Sequence, residues 1–171
     1  MPKTSKGDND KSGEYLTSGW ENYLKKFRSF RKILKNKNLA RLGDALINFA
    51  YSLAKSRIEG IPTGVKVQDK ALAEAIRKTK LKKVLPLRSK EDALGDAVEA
   101  LCAYTWLNQT ITIEEMVETL QNALQGEDMT HPRLEKKACT KAFNELLNKI
   151  VTRHENLEKK IIQPQQQQQK S

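Results

Sequence analysis

The sequence predicts an all-α fold, on three observations. Apolar residues recur at spacings of three and four in every long segment. Helix start and stop residues punctuate those segments at plausible intervals. No stretch alternates apolar and polar at the period of two that a half-buried strand requires. The chain of 171 residues is read as one helical domain over 15–161, of about 150 residues. A polar segment 1–14 and a glutamine-rich tail 162–171 flank it, and both lack the apolar periodicity that would order them.

The elements follow in order. Ser18 and Glu21 have the spacing of a capping box. Trp20, Tyr23, Leu24, Phe27, Phe30 and Leu34 then form one apolar stripe, predicting a single basic helix whose aromatics serve the core. Asn38 is read as the cap of a second helix through Leu39, Leu42, Leu46, Phe49, Ala50 and Leu53, stopped by Gly60 and Pro62. A loop over 60–67 leads to Asp69, read as the cap of a short helix with Leu72, Ala73 and Ile76 inward. Leu81, Val84, Leu85 and Leu87 make an apolar connector broken by Pro86. Ser89, with Asp92 three residues on, opens a helix carrying Leu94, Ala97, Val98, Leu101, Cys102, Thr105 and Trp106. That helix is apolar on most of its circumference, as a central helix is. Thr112 opens a shorter one, closed by Gly126, and Pro132 starts the last one, which uses Leu134 to Val151 and frays beyond Arg153.

The net charge is +10 and unevenly placed. Lys25–Arg41 holds eight basic residues and no acid, and Arg77–Lys90 holds seven and no acid. A solvated Lys/Arg face would account for either run alone. Two runs flanking the acidic motifs favour a polyanionic partner, with Arg41, Lys80, Lys82, Lys83 and Arg88 as candidate nucleic-acid contacts. No segment reaches the roughly 20 apolar residues of a membrane span, and the charged N-terminus has no signal-peptide core. Cys102 and Cys139 lie in apolar helical patterns, as reduced core thiols, and a cytoplasmic protein is expected.

The tetrapeptide Leu-Gly-Asp-Ala occurs twice, at Leu42–Ala45 and Leu94–Ala97. Each copy sets a carboxylate, Asp44 or Asp96, on a helix that otherwise reads as buried. Such a charge is costly unless it is paired or bound to a cation. Glu99 lies one turn beyond Asp96, and Asp92 one turn before it, on a single helix face. Asp44, Asp96 and Glu99 are therefore the candidate metal ligands, with Asp92 either an outer member or a helix cap. Hard carboxylate oxygens suit Mg²⁺, with Mn²⁺ as substitute. The alternative is that these acids pair with the many Lys and Arg residues. Gly43 and Gly95 are read as allowing close helix contact, and Ala40, Gly43 and Ile47 form a small-residue strip beside Asp44. His131 and His154 sit on helix-start and charged positions and suggest no catalytic triad; glycine patterns for nucleotides are absent.

The segment Asn38–Leu46 resembles the signature helix of the ribonuclease III family, which ends in Leu-Gly-Asp-Ala. Leu94–Leu101 with Ala103–Leu107 resembles its second motif, an Asp and a Glu three residues apart before Ala-Leu. The two stand in the family's order, about 50 residues apart, and the resemblance covers residues 20–125. It implies an all-helical, ribonuclease III-like endonuclease domain that cuts double-stranded RNA with Mg²⁺ and forms a homodimer, with the strip of Ala40, Gly43 and Ile47 on the signature helix near its two-fold axis. Asp44, Asp96 and Glu99 become catalytic metal ligands, Glu99 holding the ion that activates the attacking water. The family's usual acid one turn before the signature Asp is Ala40 here. In this the chain is more similar to the archaeal-type or Mini-III branch, without a double-stranded-RNA-binding domain. The alternative implied by Ala40 is a non-catalytic RNA-binding protein on the same fold, ribosome-associated or an RNA-processing factor.

Overall fold

The computed structural model describes residues 19–168, with side chains as far as Asn156. Ser18 of the expected capping box and the whole of 1–14 lie outside the described residues. Helices α1 (19–24), α2 (Phe30–Leu34), α3 (Lys37–Glu59), α4 (Asp69–Arg77), α5 (Glu91–Leu107), α6 (Ile113–Leu124) and α7 (Pro132–Gln168) follow one another. A 3₁₀ turn at Lys80–Val84 separates α4 from α5. No strand occurs among the described residues. No helix among them is long and apolar enough to cross a membrane. Residues 162–168 of the glutamine-rich tail fall within α7, and 169–171 lie outside the described residues.

The stripe from Trp20 to Leu34 is not one helix. The chain turns at 25–28 and restarts from Ser29, whose backbone is extended. The break lets the aromatics reach different partners: Phe27 meets Tyr104 of α5 edge-on, with ring centres 6.0 Å apart, and Phe30 lies 4.3 Å from the His154 ring of α7. A straight helix would point both along one line.

Helix α3 begins earlier than its expected cap. Asn36, not Asn38, is the cap, accepting from the Leu39 amide at 2.8 Å, and the Tyr23 hydroxyl donates to the same oxygen at 3.0 Å. At 23 residues it spans about 34 Å, ending at Gly60 with φ +72°, the left-handed conformation that glycine adopts without penalty. Helix α4 starts at Asp69 rather than being capped by it, Gln68 before it makes no side-chain cap, and the helix buries Ala71, Leu72, Ala73, Ala75 and Ile76. Lys90 precedes α5, while Ser89 instead donates to the Pro86 carbonyl. Leu81 is buried, but Leu87 is fully exposed and belongs to no core.

Helix α5 is the centre of the molecule. It buries Leu94 to Thr105 almost without interruption and packs on α2, α3 and α4. Helices α6 and α7 close the other side, where Tyr51 of α3 stacks on Phe143 of α7 at 5.9 Å. Cys102 and Cys139 are free, buried thiols; burial pushes both up to about 12.

The helix that Thr112 opens starts with a capping box, the Thr112 hydroxyl accepting from the Glu115 amide. Arg153 of α7 adds a 2.6 Å ion pair to Glu115. That guanidinium first, and the Thr112 amide second, hold the Glu115 carboxyl down to about 2. A depressed pKa stabilises the fold above the ordinary carboxylate value of 4.5, and the gain disappears as pH falls towards 2. Glu115→Gln is therefore expected to lower the urea midpoint at pH 7 and to match the parent near pH 2. A gap that persisted at pH 2 would refute this coupling.

Candidate metal centre and nucleic-acid interface

Helices α3 and α5 cross at the first Leu-Gly-Asp-Ala motif. A Cβ on Gly43 would sit 1.9 Å from the Glu99 carbonyl oxygen, so the two backbones touch and only glycine fits. This contact sets Asp44, the next residue, beside Glu99. Gly95 also admits a close neighbour, here a side chain from the start of α4: Asp69 Oδ1 lies 2.9 Å from where a Cβ would stand.

Glu99 is 8 % exposed. Its carboxyl accepts no hydrogen bond and forms no ion pair among the described residues. Burial, followed by the charges of Asp44, Asp96 and Asp69, pushes its pKa up to about 8, with Lys66 opposing. Three acids around a buried one make its ionised form costly, since neither burial nor like charge favours a second negative charge. Asp44 is half-buried and accepts from Asn48 Nδ2 at 2.8 Å. Asp96 pairs with Lys37 at the start of α3. That contact raises the Lys37 pKa, chiefly through the hydrogen bond itself. Asp92 is exposed in the first turn of α5, where its Oδ1 accepts from the Ala93 amide. Among the described residues, no group of three or more His, Cys, Asp or Glu is arranged to hold a metal ion. The donor set nevertheless fits a hard divalent cation: a buried carboxylate without a donor, with acids around it and one protein ammonium already drawn in.

Ala40 and Ile47 are buried in the protein's own core, as is Gly43 against Glu99. They cannot form the dimer strip expected of them. On the outer side of α3, Ala45 and Phe49 are exposed, Phe49 to 58 %, and Leu42, Leu46 and Leu53 beside them are half-buried at the edge of the core.

The two basic runs meet beside Asp96. A groove of about 190 Å³ has Arg31, Leu34, Lys35 and Lys37 on one wall, Val84 to Pro86 and Ser89 on the other, and Asp96 in its lining. The second wall belongs to the turn that exposes Lys82, Lys83 and Arg88. Arg41 is exposed one turn beyond Lys37 on α3. Lys80 is exposed as well, 3.5 Å from Glu155. His131 is exposed at the start of α7, where its Nδ1 accepts from the Arg133 amide.

Asp69, Asn48, Lys66 and Lys37 were not singled out from the sequence. Asn48 lies one turn after Asp44 on α3, a visible pairing. Asp69 had no such signal, since an acid opening a helix is ordinary.

No curated protein matches the chain. The ribonuclease III family model matches residues 37–156, the whole span from the start of α3 and well into α7, beyond the segment on which the two motifs lie. With two helical Leu-Gly-Asp-Ala motifs packed at one acidic site and matched over most of its length, this chain belongs to the ribonuclease III family.

Proposed function

We propose that the protein is a metal-dependent endoribonuclease that cleaves double-stranded or structured RNA. Asp44, Asp96 and Glu99 would hold Mg²⁺, or Mn²⁺ in its place, and Asp92 is too exposed and too far along α5 to be more than an outer contact. The observation that carries this reading is the Glu99 carboxyl, buried, undonated and faced by other acids in a chain of this family. A divalent cation held there supplies an activated water and neutralises charge on the phosphodiester. The protein's own residues prepare that place. Asn48 fixes the Asp44 carboxylate, the α5 backbone fixes Glu99 against α3, and Lys37 neutralises Asp96 until it gives way. The test is cleavage of long double-stranded RNA, with Mg²⁺ and with chelator.

The RNA is read as lying along the groove beside Asp96, with Arg41, Lys80, Lys82, Lys83 and Arg88 on phosphates. Neutralising Lys82 and Lys83 together is expected to weaken duplex RNA binding and to lower the slope of log affinity against log salt by about one to two, since each phosphate contact releases about one counterion. An unchanged slope would remove these two lysines from the interface.

A homodimer completes the reading. Its contact is the outward face of α3, where Leu42, Ala45, Leu46, Phe49 and Leu53 share one helical side. Phe49→Glu is expected to give a monomer in sedimentation equilibrium. A wild-type protein that is already monomeric at tens of micromolar would end the proposal. A cytoplasmic setting belongs to the same reading, supported by two free buried thiols.

One observation favours the second reading, a non-catalytic RNA-binding protein of the same fold. Ala40 brings no carboxylate, and Lys37 already satisfies Asp96. Salt-dependent RNA binding without cleavage in Mg²⁺ or Mn²⁺ would select it.

A further inference from the structure

We propose that Asp69, at the first position of α4, is a fourth carboxylate of the metal site, supplied from outside both Leu-Gly-Asp-Ala helices. The inference rests on the metal-centre reading above and adds a ligand to it. Position 40, one turn before Asp44, carries only a buried methyl group and brings no oxygen. Asp69 reaches the site from another element, across the bare face of Gly95.

Three features hold it there. Gly95 leaves a cradle that any side chain would fill, since a Cβ would meet Asp69 Oδ1 at 2.9 Å and its Cγ at 3.2 Å. The Asp69 carboxylate has no hydrogen-bond or ion-pair partner among the described residues, and it lies over Gly95, one helical turn before Glu99, a residue more than nine-tenths buried. The chain leading to it is fastened to α3 by a side-chain ladder. Ser56 Oγ takes the Thr63 amide at 2.9 Å, Ser52 Oγ the Val65 amide at 2.9 Å, and Asn48 Oδ1 the Val67 amide at 2.7 Å.

The ladder works because two periods match. Four residues of helix rise about 6 Å and two extended residues advance about 6.6 Å. Every fourth residue of α3 therefore meets every second residue of the segment running antiparallel to it. The last rung, Asn48, is the residue whose amide also donates to Asp44. One side chain thus sets both Asp44 and the strap that delivers Asp69.

An acid at the start of a helix also favours the helix dipole. That role alone predicts a small change in melting temperature and none in metal affinity. The experiment is a Mn²⁺ titration of the full chain without RNA, followed by the electron paramagnetic resonance of free Mn²⁺. Asp69→Asn is expected to weaken binding about tenfold or more. Wild-type affinity in Asp69→Asn, with binding lost in Glu99→Gln, would overturn the Asp69 inference and leave the metal centre standing. Wild-type affinity in Glu99→Gln, or no Mn²⁺ binding by the parent protein, would bring down the metal centre and Asp69 with it. Should Asp69→Asn not fold, Gly95→Ala decides: its methyl displaces the Asp69 carboxylate while favouring the helix. Weakened Mn²⁺ binding in that variant supports the inference, and unchanged binding overturns it.

Discussion

Glu99→Gln is expected to abolish Mg²⁺-dependent cleavage of duplex RNA while leaving RNA binding intact or slightly tighter. The substitution keeps shape and volume, so the contact between Gly43 and the Glu99 backbone is untouched. With the carboxyl pushed up to about 8, at neutral pH and without metal it carries its proton most of the time. Glutamine is then a close mimic of the metal-free side chain, and the fold should lose nothing. What it cannot do is give up that proton to hold a cation. Several kcal/mol of transition-state charge stabilisation depend on such an ion, which corresponds to a rate loss of about 10³-fold or more. Binding relies on the lysine and arginine contacts, so filter binding or anisotropy should show parent-like affinity and salt slope. Undiminished cleavage by Glu99→Gln would remove Glu99 from the chemistry. A parent protein that binds but never cuts would instead establish the non-catalytic role.

Gly43→Ala is expected to be the most destabilising glycine-to-alanine change among the described residues. By helix propensity alone, alanine in mid-helix should gain about 1 kcal/mol over glycine. Here its Cβ would fall 1.9 Å from a carbonyl oxygen and 2.3 Å from the carbonyl carbon of Glu99. These are backbone atoms at the middle of the central helix, and no rotamer change relieves them. Helices α3 and α5 must separate along their largest contact, loosening Leu39, Ile47, Val98 and Cys102 together. We expect a net loss of about 2 kcal/mol or more, or about 4–8 °C in melting temperature for a chain of this size. Gly95→Ala is the comparison. Its nearest neighbour is the end of a movable side chain, so it should keep or raise the melting temperature. Thermal unfolding of the two variants side by side checks the pair. Equal effects would mean that the α3–α5 approach is not as tight as the structure has it.

Much of this molecule is legible along the chain because helices are local objects. The periodicity of Leu94 to Trp106 requires a helix buried on nearly every side, and α5 is that helix. Thr112 with Glu115, and Gly60 after a long apolar run, announce their ends through backbone groups only a few residues away. Asp44, Asp96 and Glu99 stand out because a charge within an apolar stripe needs a reason, and that conflict is visible without knowing any neighbour.

What tertiary structure decided concerns partners distant in sequence. A buried stripe does not say what it is buried against: Ala40, Gly43 and Ile47 suit a second subunit by sequence, yet all three are buried within the chain itself, Gly43 against α5. The stripe from Trp20 to Leu34 has regular helical spacing, yet it is cut in two because Phe27 and Phe30 find rings on different helices. Asp69 looks like any acid opening a helix. Only the ladder from Asn48, Ser52 and Ser56 and the missing side chain at Gly95 carry it to Glu99. Spacing along the chain specifies which residues share a face, since a helix repeats every few residues. Which faces meet, and which charges meet with them, depends on how closely the backbones approach, and that is a property of the packed whole.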